Sequence, residues 1–407
     1  MKNNYLILAA TLASMLALSA CNRLETVNAV REPGVISFCT NLDYALLRGT
    51  EINLRTLRQD GFWVAAISEN GTLLFNERVS YGTPIPNRWS TATPHYWPKT
   101  GTVRFWAYEH KDDSHKYDGT PSVELEYNST QRYIGVFYIP DASSTKSSVE
   151  RMTDVVIAYG EGTKAANEST GVQLTFKHAM AQVEIMAKND NPNREIAVLG
   201  VQLVGVSEYA VINLPERGGD YSWDNDESVG ENFDDLGNAN TAVHLNSIPR
   251  RIMPSPAGNN FMMFPQQLTA CDYGVDKNGY LIEPDGTFNG AYIGVMMQVT
   301  ENGVPLYPTA DQMAADPHAY IIGTVPINTL WEAGKKYTYV LDFTNGIGLH
   351  PPKKMRHIPE PNPGVTPAPH YVEPLCPDGP IYPGKPLLGE PLGFVLKIFD
   401  LALDYHG

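Results

Sequence analysis

The chain has 407 residues, 43% of them apolar, which is enough material for packed cores and suggests about two domains. Its 30 basic against 45 acidic residues leave a charge of −15, so most of the surface repels a phosphate backbone, which argues against a nucleic-acid partner. With 34 glycines, 31 prolines, no collagen period and only 4 cysteines, it reads as many short strands and turns, not as a helical bundle or disulfide scaffold.

Residues 1–20 are an export signal. Lys2 supplies the positive start, and the apolar stretch Leu6–Leu18 is too short to span a bilayer as a helix. It ends in Leu18-Ser19-Ala20-Cys21, which resembles the lipobox of a bacterial lipoprotein. That resemblance implies cleavage between Ala20 and Cys21, lipid on the Cys21 sulfur and an outer-membrane anchor, since two or more acyl chains hold stably. Three further thiols remain, Cys39, Cys271 and Cys376, so at most one disulfide can form.

Val35–Leu42 reads as a strand introduced by Pro33-Gly34, and Arg48-Gly49-Thr50 separates it from the next element. Further strands are expected over Gly61–Ile67 and Thr72–Phe75, joined by the hairpin signal Asn70-Gly71. Thr102–Tyr108 alternates apolar and other residues like a half-buried strand, and Tyr133–Ile139 and Asp154–Tyr159 complete a first antiparallel sandwich. Gly160–Gly171 is the expected joint to a second set: Val172–Phe176, Ala181–Ala187, Ile196–Val206, Asn260–Phe264, Tyr292–Thr300, Ala319–Pro326 and Tyr337–Thr344. Residues 216–238 read as an acidic surface loop; Asp224 and Asp226 have the opening spacing of a calcium loop, but Ser228 and Val229 break it. From Pro351 to Pro391 there are 13 prolines, predicting an extended tether that forms no ladder. It ends in Leu392–Leu403, which favours a strand with Leu392, Phe394, Leu396 and Ile398 on one face.

Catalytic patterns are not met. Gly160-Glu161-Gly162-Thr163-Lys164-Ala165 imitates a dinucleotide fingerprint, yet a linker into another strand is the better reading than a helix N-terminus. His178 reads as a packed structural histidine, and the 10 histidines lack metal-ligand spacing. No enzyme, cofactor or metal is expected. Aromatics such as Trp106 and Tyr108 offer a glycan platform in principle, although cross-strand packing is their commoner use.

The succession of the lipobox, Val35–Asn41, Arg48-Gly49-Thr50, Tyr96-Trp97-Pro98, Val103–Tyr108, Asp154–Ala158, Leu174–Val183, Met263–Gln266, Trp331–Leu341 and Pro386–Pro391 resembles the fimbrillins. These are lipoprotein-precursor pilins of Gram-negative gut and oral anaerobes. The resemblance implies an all-β fold of two tandem transthyretin-like antiparallel β-sandwich domains with a C-terminal extended strand. On that plan residues 1–20 are the signal, 21–48 a pro-segment with the first strand, 49–165 and 170–350 the two domains, and 351–407 the tether and last strand. It further implies a fimbrial subunit or tip adhesin on the cell surface. An arginine-specific protease would cut between Arg48 and Gly49, Arg31 being a second candidate less favoured because Pro33 follows. The vacated groove would then take a donor strand carrying Phe394, Leu396 and Ile398 from another fimbrial subunit, and a host or bacterial surface ligand would be the outward partner. The alternative is a permanently lipid-anchored surface binding protein that does not polymerise. The long Pro-rich stretch containing Cys376 departs from the family pattern.

Overall fold

The computed structural model describes residues 34–42, 52–110, 125–138 except 129, Val149, Met152, 154–225 except 208, 231–237, 241–255, 259–272, 290–351, 368–375 and 383–401. These residues are mostly strand, as the short apolar runs and turn residues demand.

The first half builds a closed barrel from seven strands: β1 (Phe38–Leu42), β2 (Phe62–Ser68), β3 (Leu73–Tyr81), β4 (Trp89–Thr91), β5 (Val103–His110), then β8 (Val155–Gly162) and β9 (Val172–His178). Their order around the barrel is β1-β4-β3-β2-β5-β8-β9. The expected antiparallel sandwich is therefore modified in two respects. The sheet closes on itself, and its seam is a parallel pair, β1 beside β9. β9, expected to begin the second set, instead completes the barrel because it pairs with both β8 and β1.

Alternation decides what each barrel strand buries. Val103, Phe105 and Ala107 of β5 point into the barrel core with Ile36, Phe38, Phe62 and Phe176. Trp106 and Tyr108 point outward but remain buried, joining a second cluster with Ile134 and Ile212. They are thus packing residues and not an exposed glycan platform. A helix the strand pattern conceals, α1 (Leu54–Asp60), precedes β2. Asn53 caps it, its Oδ1 accepting the Arg55 and Thr56 N–H groups, and the Thr56 hydroxyl accepts the Asn53 N–H in return. It stops at Gly61, whose φ of 80° and approach to the Val79 carbonyl leave no room for a Cβ.

Tyr133–Ile139 does not join the barrel. It becomes β7 (Arg132–Tyr138), in a separate sheet with β6 (Leu125–Tyr127), β12 (Tyr209–Asn213) and β13 (Ser222–Asn225), ordered β13-β12-β7-β6. That sheet lies against the outer face of β2 and β5, and Trp223 donates its indole N–H to the Ala179 carbonyl at 2.8 Å. The acidic stretch 216–238 is likewise not all loop, since β13 and β14 (Glu231–Leu236) arise within it. Asp235 is buried there, accepting from the Ser255 hydroxyl at 2.6 Å.

The second half has two sheets over one shared apolar cluster. The first contains β10 (Ala181–Lys188), β16 (Arg250–Arg251), β17 (Phe261–Met263), β23 (Lys335–Asp342) and β25 (Gly393–Asp400). The second contains β11 (Arg194–Val206), β14, β15 (Val243–His244), β19 (Tyr292–Glu301), β20 (Val304–Tyr307), β21 (Ala319–Pro326) and β24 (His370–Tyr371). β24 corrects the expectation of a tether without ladder pairing: Ala319 lies opposite His370 and Tyr320 opposite Tyr371. A short pair joins β18 (Gln266–Gln267) to β22 (Leu330–Trp331), and two further short helices are α2 (Lys164–Asn167) and α3 (Ala310–Ala315). α2 does begin where the glycine pattern was read as linker. It is one turn long and leads to β9, antiparallel to β8, so it lacks the parallel crossover that dinucleotide binding uses.

Burial raises two carboxyls. Glu109 is pushed up to about 7 because burial outweighs the Arg78 guanidinium 3.1 Å away, and Asp235 is pushed up to about 6 by burial despite its Ser255 bonds. The folded state therefore keeps protons that the unfolded chain releases. Stability is full below the unfolded carboxylate range and declines as pH rises through 6–7. Glu109→Gln is expected to remove about 2–3 kcal/mol of the loss between pH 5 and 8, at roughly 1.4 kcal/mol per unit. Urea unfolding at both pH values checks it; parallel curves for variant and parent would contradict this assignment.

Candidate functional site

β1 is held by neighbours distant in sequence. Residues Phe38 to Leu42 run parallel to Val172 to Phe176 of β9, whereas β4 contributes the single opposed pair Phe38 and Trp89. The rail is therefore β9. Ahead of the strand, the Ile36 N–H donates to the His95 carbonyl at 2.8 Å and the Val172 N–H to the Ser37 carbonyl at 2.8 Å. Side chains add to this: the Trp89 indole donates to the Thr40 hydroxyl at 2.8 Å, and the Cys39 thiol to the Thr170 carbonyl at 3.3 Å. Phe38 is 0% exposed and meets Phe105 edge-on, with ring centroids 5.1 Å apart.

Downstream, the chain is anchored afresh. Ile52 is buried, and its N–H donates to Asp154 Oδ2 at 3.2 Å; the same oxygen meets His178 Nδ1 at 2.6 Å. His178 thus has the structural role read from its apolar surroundings. This buried pair fixes the start of α1 to β8 and β9, so the barrel's grip on residue 52 does not depend on β1.

At the other end of the chain, β25 lies antiparallel to β23, from Gly393 opposite Asp342 to Asp400 opposite Lys335. It is an edge strand on its own chain. Phe394 and Leu396 are half-buried against the shared core, Phe394 edge-on to Tyr339 at 5.3 Å, but Ile398 is 52% exposed. Val395 and Phe399 leave the outer face apolar as well. Ala20, Cys21, Arg31, Arg48, Gly49 and Cys376 lie outside the described residues.

A fimbrillin-like family model matches residues 55–353. The chain belongs to the fimbrillin-like family. Among solved structures, this fimbrillin-like chain is similar to a fimbrial assembly protein from Parabacteroides distasonis at 9% identity, covering 77% of this chain and 92% of that one, with a TM-score of 0.33. It is also similar to a protein provisionally assigned to cell adhesion from the same species, at 10% identity, covering 90% and 99%, with a TM-score of 0.42. No curated protein matches it.

Proposed function

We propose that the chain is a cell-surface fimbrial subunit or tip adhesin that polymerises by strand replacement. Membership of the fimbrillin-like family supports the fimbrial role. The supporting observation for the mechanism is the position of β1, one strand closing an otherwise continuous sheet, with Arg48 in the stretch between it and the anchored Ile52. The precursor is exported, cut between Ala20 and Cys21, and lipidated on Cys21 at the outer membrane. An arginine-specific protease then cuts between Arg48 and Gly49. Loss of β1 uncovers the edges of β9 and β4 and an apolar groove, which only another extended segment can satisfy. The incoming segment is β25 of another fimbrial subunit: main-chain bonds supply affinity, while Phe394, Leu396 and Ile398 set register.

The test is intact mass and N-terminal sequencing of the protein from its native cell surface. An unlipidated start at Gly49 is expected. A lipidated start at Cys21 would overturn polymerisation through this groove and leave a permanently anchored surface binder.

A further inference from the structure

Three hairpin tips from two sheets converge on one cleft of about 590 Å³. They are the β2–β3 turn at Asn70, the β6–β7 turn at Asn128 and the β12–β13 loop at Glu216 and Arg217. Loop tips held by a rigid scaffold are where binding residues concentrate. In a chain of charge −15, this cleft gathers three arginines: Arg104, Arg132 and Arg217.

The three loops are built, not loosely apposed. Arg104, largely buried on the outer face of β5, donates from Nη1 to the Glu216 carbonyl and so pins the β12–β13 loop. Gly219 lies against Tyr159; a Cβ there would stand 2.7 Å from the ring. The Leu214 N–H donates to the Arg132 carbonyl at 2.8 Å, joining that loop to β7. Asn128 folds its own turn, its Oδ1 accepting the Gln131 N–H at 2.8 Å and the Thr130 N–H at 2.9 Å. Arg217 is exposed at the mouth, and Arg132 stands 3.8 Å from the largely exposed Glu216 carboxylate, too far for a tight pair.

We propose that this cleft binds a carboxylated sugar. Among the lining residues three guanidiniums outnumber the Glu69 and Glu216 carboxylates by one, and with Glu126 and Glu161 close behind them the cleft suits a monoanion better than a polyphosphate. Guanidinium forks match a planar carboxylate. The Glu69 and Glu216 carboxylates accept from sugar hydroxyls, the Asn70 amide offers a neutral polar contact, and Tyr127 supplies an apolar edge. The volume suits a small saccharide, being within the usual range of about 300–1,000 Å³ for such sites.

Titration calorimetry on the full, unprocessed chain tests this with N-acetylneuraminic acid, glucuronic acid, lactose and inorganic phosphate as probes. At least one acidic sugar is expected to bind saturably. Arg217→Ala, at an exposed position with no fold to lose, is expected to weaken it about tenfold at an unchanged melting temperature, and Arg132→Ala likewise. Failure of both acidic sugars, equal binding of lactose or phosphate, or acid binding indifferent to both substitutions would each overturn the assignment. The unprocessed chain retains β1, so this result is independent of the maturation and polymerisation route.

Discussion

Truncation before Gly393 is expected to leave a folded subunit that no longer enters fibres. β25 meets its own chain along β23 alone, and most of its side chains face solvent. Its contribution at home comes from the half-buried Phe394 and Leu396, and the truncation also removes the buried Leu401, whose N–H donates to the Gly334 carbonyl at 2.8 Å, so the loss costs the fold on the order of 3–5 kcal/mol. On the proposed mechanism the same side chains would fill the groove that β1 vacates in another subunit. The truncated subunit is less stable but still folded, while assembly stops. Circular dichroism and electron microscopy of processed protein separate the two effects. Fibres of ordinary length from truncated chains would refute the assignment of β25 as the connecting strand.

Phe38→Ala should weaken the unprocessed chain and have no consequence after processing. In the unprocessed chain the ring is fully buried against Phe105, and emptying that site is expected to cost about 3–5 kcal/mol. If the chain is cut after Arg48 as proposed, the residue is gone, and processed variant and parent are the same molecule. Urea unfolding of the precursor is expected to shift markedly, while fibres assembled from processed chains are indistinguishable. A precursor unmoved by the substitution would mean that β1 is not a structural part of the barrel.

Much of this architecture can be read from local pattern. Thr102–Tyr108 alternates because one face fills the barrel, and Asn70-Gly71 turns β2 into β3 as such pairs do. The terminal run reads as a strand because β-branched and aromatic residues follow a proline, and Gly393–Asp400 is one. Pairing partners are less legible. β9 has an ordinary buried-alternate pattern, and nothing in Val172–His178 says that its second neighbour is a strand more than a hundred residues earlier. Trp106 and Tyr108 look available from the sequence because the sheet that covers them comes from residues 125–138 and 209–225. α1 escapes a strand-centred reading, although Asn53 and Thr56 are a cap signal visible in the sequence. The arginine cleft is the least legible feature. Arg104, Arg132 and Arg217 are brought together only by tertiary folding.

The docking of β25 on its own chain also has a kinetic meaning. A strand tethered to its docking site faces an effective concentration in the millimolar range, so capture by a second molecule competes with rapid return to β23. Two free subunits should therefore join slowly even when the receiving groove is open. A growing end gains only if the vacated barrel binds the strand more tightly than β23 does. If β25 is the connecting strand, the self-docked edge acts as a brake on spontaneous nucleation, which is scaled by the fraction of time the strand is undocked as well as by subunit concentration.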